Sequence, residues 1–203
     1  MALEKAVQLP SVSLYPVRFC VVLAVLLWYS RPYLSLRPSS PAMSVLLGIA
    51  VFAIWVGPDV LFGPGYRAHW LFQNAITGSA SSSIPAEMKS AFWFAALRAT
   101  SSTLLVPIVE ELFWRGWLMR WIVNRDFLSV PLGAYAPGAF WMVAFLFASE
   151  HGPYWEVGLA TGALFNWWMV RTRNLADCIL AHAVTNGLLS AYVLSTGQWQ
   201  YWL

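Results

Sequence analysis

Charge is what this sequence has least of. Asp, Glu, Lys and Arg make up 10% of its 203 residues, against 59% apolar side chains. A water-soluble domain carries about a quarter charged residues, and a fold of this size would lack the polar surface to cover itself. A bilayer removes that difficulty, because lipid accepts an apolar exterior. Cysteine is nearly absent as well. Cys20 and Cys178 lie in apolar runs with no CxxC pair and no metal spacing, which points to two buried thiols. Period-2 alternation is missing, so a transmembrane barrel has no support. The net charge of +3 sits in short loops, with no basic stripe interleaved with aromatics, which argues against nucleic acid as a partner.

What remains is a succession of apolar helices. A first helix is expected over 14–30, flanked by Arg18 and Arg31; no small-x-small cleavage site follows it. A second covers 42–62, with Gly57-Pro58-Asp59 expected to fray or end it. Residues 63–89 hold Gly63-Pro64-Gly65 and a serine run and read as an extramembrane loop. A long helix follows over 90–123, kinked at Pro107. Further helices are expected up to His151, over 154–170 and over 175–194. The expectation is an all-α, polytopic membrane helical bundle of about six transmembrane helices in a single membrane domain. Within it, 14–89 would supply N-terminal spans and a loop, and 90–195 the catalytic core. The lipid bilayer is then a partner, and the bacterial inner membrane the expected location. Arg31, Arg37, Arg120, Arg125, Arg171 and Arg173 fall in alternate loops, opposite Lys5, Arg18, Arg67 and Lys89, which places the arginine-rich loops in the cytoplasm.

Ionisable groups inside spans cost about 2.5–3.5 kcal/mol each on insertion scales and tend to be functional. Those that persist are Arg98, Glu110, Glu111, Arg115, Glu150, His151 and His182, with Asn166 and Asn186 as neutral additions. Glu156 and Asp177 lie close enough to span ends for solvent to reach them. Glu111 and Arg115 are four apart on one helix face and can neutralise each other. Glu110 points about 100° away and is left for other work, as a general base or acid. His151 ends a span next to Gly152-Pro153, where a histidine is commonly just an interfacial residue. His182 and Asn186 share a face, where an amide can fix the histidine tautomer or both can meet one substrate oxygen.

Two chemistries fit this set. In one, Glu110 and His151 activate a water while His182 and Asn186 stabilise an oxyanion. In the other, Glu110, His151 and His182 bind a metal such as Zn²⁺; no HExxH is present, and no cofactor is certain. Serine or cysteine hydrolysis fits less well: Ser101, Ser102, Ser149 and Cys178 are near, but there is no GxSxG elbow.

The ordered motifs Glu110-Glu111-x-x-x-Arg115, Phe147-x-x-x-His151 and His182-x-x-x-Asn186 resemble the CPBP family of intramembrane proteases, also called the CAAX prenyl protease and Abi family. The text around Glu110 is similar to the subgroup associated with exosortase systems. The likeness covers about residues 90–195. It implies a helical bundle with an intramembrane cavity, a membrane-associated protein or peptide as substrate, and peptide-bond hydrolysis. Water activation would fall to Glu110 and His151, the oxyanion hole to His182 and Asn186, and support to Glu111 and Arg115. The family is also described as metalloproteases. The competing expectation is a non-catalytic membrane scaffold or bacteriocin-immunity-type protein that keeps the constellation for stability.

Overall fold

The computed structural model describes residues 14–63 and 65–202. Lys5 and Pro64, used above, lie outside them. The described residues are 76% helical, and no strand occurs among them. Six helices carry the fold. They are α1 (Tyr15–Val25, continued by a π turn Leu26–Ser30), α2 (Pro41–Phe62), α3 (Phe92–Val123), α4 (Pro137–Ser149), α5 (Trp155–Thr172) and α6 (Leu175–Thr196). Three of them, α2, α3 and α6, are long and apolar enough to cross a membrane. Helix α4 is apolar but has 13 residues, about 20 Å at 1.5 Å per residue, less than a hydrocarbon core of about 30 Å.

Local chemistry sets several boundaries. Pro41 and Pro137 open α2 and α4 at their first positions, where a missing N–H costs nothing. Asn174 caps α6 by accepting from the Ala176 N–H. Gly197, at φ 71°, ends it in the left-handed conformation. Gly57-Pro58-Asp59 does not end α2, contrary to expectation; Pro58 stays inside the helix. The last turn is held from outside, because Asp59 accepts from the Arg67 Nε–H at 3.0 Å and the Tyr201 O–H at 2.6 Å. Proline removes one backbone bond, and these tertiary contacts offset it.

Helix α3 is continuous but not uniform. It widens into π turns at Ser101–Leu105 and Leu112–Leu118, on either side of an α segment, Val106–Glu111. The first π turn meets Pro107, whose ring would crowd the carbonyl four residues back in a regular helix. Single π turns are frequent at functional sites.

Close helix crossings rest on small residues, as expected where lipid removes the hydrophobic drive between helices. A Cβ on Gly48 would lie 2.4 Å from the Ala181 carbonyl oxygen of α6. Gly158 and Gly162 of α5 let it approach Ala148 and Ala144 of α4. Helices α3 and α6 run antiparallel: Glu111 meets His182, Ser102 meets Asn186 and Ser190, and Phe94 packs with Val193.

Candidate functional site

A cavity of about 340 Å³ opens between these helices, and Glu110, His151, His182 and Asn186 all line it. The spans drawn from sequence put the two histidines at different depths; the structure brings them to one cavity. Helix α4 ends early, at Ser149, so that His151 hangs in the following turn. The Phe147 ring links the two imidazoles, 4.5 Å from His151 and 6.4 Å from His182 between ring centroids. Trp55 of α2 meets His151 edge-on at 5.2 Å and is itself fixed by a 2.9 Å bond from its Nε1–H to Thr161 Oγ1.

Each histidine has one ring nitrogen occupied. His151 Nδ1 lies 2.6 Å from the Phe147 carbonyl oxygen. A carbonyl only accepts, so Nδ1 carries the proton and the neutral ring keeps its lone pair on Nε2. His182 Nδ1 lies 2.9 Å from Glu111 Oε1, so Nδ1–H donates to the carboxylate. The sequence left two roles open for Asn186, fixing the His182 tautomer or meeting a substrate oxygen together with it. The structure gives the first of these to Glu111. Asn186 instead donates one Nδ2–H to the Ser102 carbonyl at 2.9 Å, and a second amide hydrogen remains.

Glu111 does two things at once. It is fully buried, and its Oε1 accepts from Arg115 Nη1 at 3.0 Å as well as from His182. Arg115 is 1% exposed. It donates from Nε to Asn166 Oδ1 at 2.9 Å and from Nη2 to the Gly162 carbonyl at 3.3 Å, and its guanidinium lies 4.9 Å from the Phe147 ring centroid. Asn166 continues the chain to α4 by donating to the Phe140 carbonyl at 2.7 Å. Glu111, Arg115 and Asn166 therefore form a buried brace across α3, α4, α5 and α6. Sequence reasoning paired Glu111 with Arg115 but gave Asn166 no part; its position in an apolar run was the only signal.

Other expectations need correction. Asp177 is fully buried, not solvent-reached. Its carboxylate accepts from the Ser39 and Ser40 N–H groups at 3.0 and 2.8 Å and from Ser44 Oγ at 2.9 Å, just before and in the first turn of α2. Arg67, assigned to a loop, is 4% exposed and pairs with Asp59 and Glu156 at 2.8 and 2.9 Å. A guanidinium taken out of water needs such partners. It also lies 3.9 Å from the ring centroid of Tyr154. Tyr154 and Tyr201 line the cavity as well; burial pushes both phenols up, so they stay protonated.

The serine and cysteine candidates are not poised as nucleophiles. Cys178 is fully buried, with Sγ against the Phe165 carbonyl. Ser102 and Ser149 donate to helix carbonyls. For the metal alternative, no group of three His, Cys, Asp or Glu side chains able to hold an ion occurs among the described residues. As placed, Glu110, His151 and His182 do not form a ligand set.

Comparison with known proteins gives one match: residues 91–188 fit the family model described as Type II CAAX prenyl endopeptidase Rce1-like. No curated protein and no solved structure matches the chain. The matched stretch runs from the start of α3 into α6 and contains all three motifs and the whole buried brace. Over residues 91–188 this chain is similar to the Rce1-like type II CAAX prenyl endopeptidase family.

Proposed function

We propose that this protein is a multi-pass intramembrane endopeptidase that hydrolyses a peptide bond near the end of a membrane-delivered protein, in the manner of CAAX processing. One observation carries the reading: a carboxylate, two imidazoles whose Nε2 atoms have no hydrogen-bond partner among the described residues, and an amide, drawn from two helices and one turn, line the same cavity.

The chemistry follows from those groups. A water held between the Glu110 carboxylate and His151 Nε2 loses a proton to Glu110 as its oxygen attacks the scissile carbonyl carbon. The carbonyl oxygen becomes an oxyanion. It accepts from the remaining Asn186 amide hydrogen and from Nε2–H of His182 in its imidazolium form, for which Glu111 is the counter-charge. Collapse breaks the C–N bond, and the proton on Glu110 passes to the departing amine. Arg115 and Asn166 touch no substrate in this scheme; they hold Glu111 in place.

The test is cleavage of a prenylated CAAX peptide by the purified protein, with product masses read by mass spectrometry. Glu110→Gln keeps the shape and removes the base, so activity should fall by at least about 10²-fold while thermal unfolding stays near wild type. A scaffold role predicts that cellular function survives the substitution. Full cleavage by Glu110→Gln would sink the mechanism.

A further inference from the structure

A second chamber lies beside the catalytic cavity. It measures about 390 Å³, and its walls include Asp59, Arg67, Gln73, Tyr192 and Gln198. Tyr154 and Tyr201 line both spaces, so these two phenols form the partition between them. Of the residues that line the chamber, Tyr154 alone falls within 91–188. The other walls come from the end of α2, the loop after it, and the last turns of α6 with the segment beyond. The chamber thus lies almost wholly outside the stretch that matches the family model.

Its polar groups call for water. Arg67 uses Nε on Asp59 and Nη1 on the Pro153 carbonyl and Glu156. Its Nη2 and the Tyr154 hydroxyl are buried and have no hydrogen-bond partner among the described residues. Ordered water meets buried polar groups of this kind, and the volume has room for about ten molecules. Two carboxylates around one guanidinium leave a net negative charge at this wall. The partition also has a latch. Tyr201 donates its O–H to Asp59 Oδ2 at 2.6 Å. Its ring packs on Tyr154 and Tyr192, 5.4 and 5.9 Å away between centroids.

We propose that this chamber supplies the hydrolytic water and that Tyr201 is the gate it passes, latched by Asp59. The inference rests on the endopeptidase reading for what the water does, and on the chamber alone for the route. Hydrolysis consumes one water for each bond cleaved. The groove that reaches Glu110 from the other flank, between α1 and α3, is walled mainly by Phe19, Val22, Leu105, Val106 and Val109, a poor conduit for water. Tyr201 stands in a short turn after α6, so rotation of one side chain joins the two spaces without moving a helix. Asp59 keeps Arg67 when the latch opens.

The experiment reads access without any substrate. Ser102→Cys puts a thiol in the catalytic cavity, in a full-length chain that also carries Cys20→Ala. Cys178 is fully buried and stays as a reporter of unfolding. The purified protein, in phospholipid nanodiscs that shield the α1–α3 groove, is treated with 2-(trimethylammonium)ethyl methanethiosulfonate, a cation suited to the chamber's charge. Labelling of the introduced thiol should be slow with Tyr201 in place. It should run roughly 10- to 100-fold faster with Tyr201→Phe, the worth of one hydrogen bond to a charged group. Ala80→Trp fills the chamber from its wall and should slow labelling again. No gain with Tyr201→Phe overturns the gate. Labelling that Ala80→Trp does not slow overturns the route, and that comparison holds in a chain that keeps Tyr201. A gain matched by modification of Cys178 is unfolding, makes Tyr201 a structural contact, and overturns the gate as well. A gated thiol in a protein that cleaves no peptide leaves the route standing and sinks the peptidase reading; a cleaving protein with an ungated thiol does the reverse.

Discussion

Replacing Glu111 by Gln separates the buried brace from the reaction it supports. Glu111 and Arg115 are 0% and 1% exposed, and one carboxylate oxygen accepts from both Arg115 and His182. The amide keeps an acceptor but loses the charge, and its NH2 falls where Glu111 Oε2 has no hydrogen-bond partner among the described residues. Breaking a buried pair by removing one partner costs about 3–5 kcal/mol, because a charge is left uncompensated. Arg115 keeps Asn166 and the Gly162 carbonyl, which favours the lower figure, about 3 kcal/mol. For a chain of this length that is a fall of roughly 6–12 °C in Tm, read by thermal unfolding in detergent. The double variant Glu111→Gln with Arg115→Met removes the stranded charge as well, and most of the stability should return. Activity should not return with it, since His182 still lacks its counter-charge. Cleavage should stay down by about 10²-fold, comparable to losing one oxyanion donor. An unchanged Tm in the single variant, or full activity in the refolded double variant, would refute the argument.

Two stability predictions test the rest of the frame. Asp177→Ala strands four donors at the start of α2 and should cost about 1–3 kcal/mol, seen as a lower unfolding temperature with cleavage by the folded fraction preserved. Gly48→Ala drives a methyl to within 2.4 Å of the Ala181 carbonyl and should destabilise by about 1–3 kcal/mol. A Gly48→Ala protein as stable as wild type would contradict the close crossing of α2 and α6.

The brace also explains why adjacent glutamates can differ so completely. Both stand on the α segment between two π turns of α3. Glu111 faces inward to Arg115 and His182, while Glu110 faces the cavity. A rotation of about 100° per residue is enough to give neighbouring carboxyls different surroundings, and the surroundings decide which one is committed to structure.

The sequence by itself determined the membrane class, six helices and three motif pairs. Low charge excludes a soluble exterior, and i,i+4 spacing lies within one helix, so Glu111 with Arg115 was legible before any fold was known. What lies between helices was not. That Glu111, rather than Asn186, holds His182 depends on how α3 crosses α6. That Asp177 and Arg67 are buried depends on serines and acids far along the chain. The meeting of His151 and His182 depends on α4 stopping at Ser149 and on the small-residue contacts that seat it on α5. Helical periodicity sets which side chains share a face. Only packing decides what that face meets, because the partner is fixed by crossing angle and depth, which no local pattern encodes.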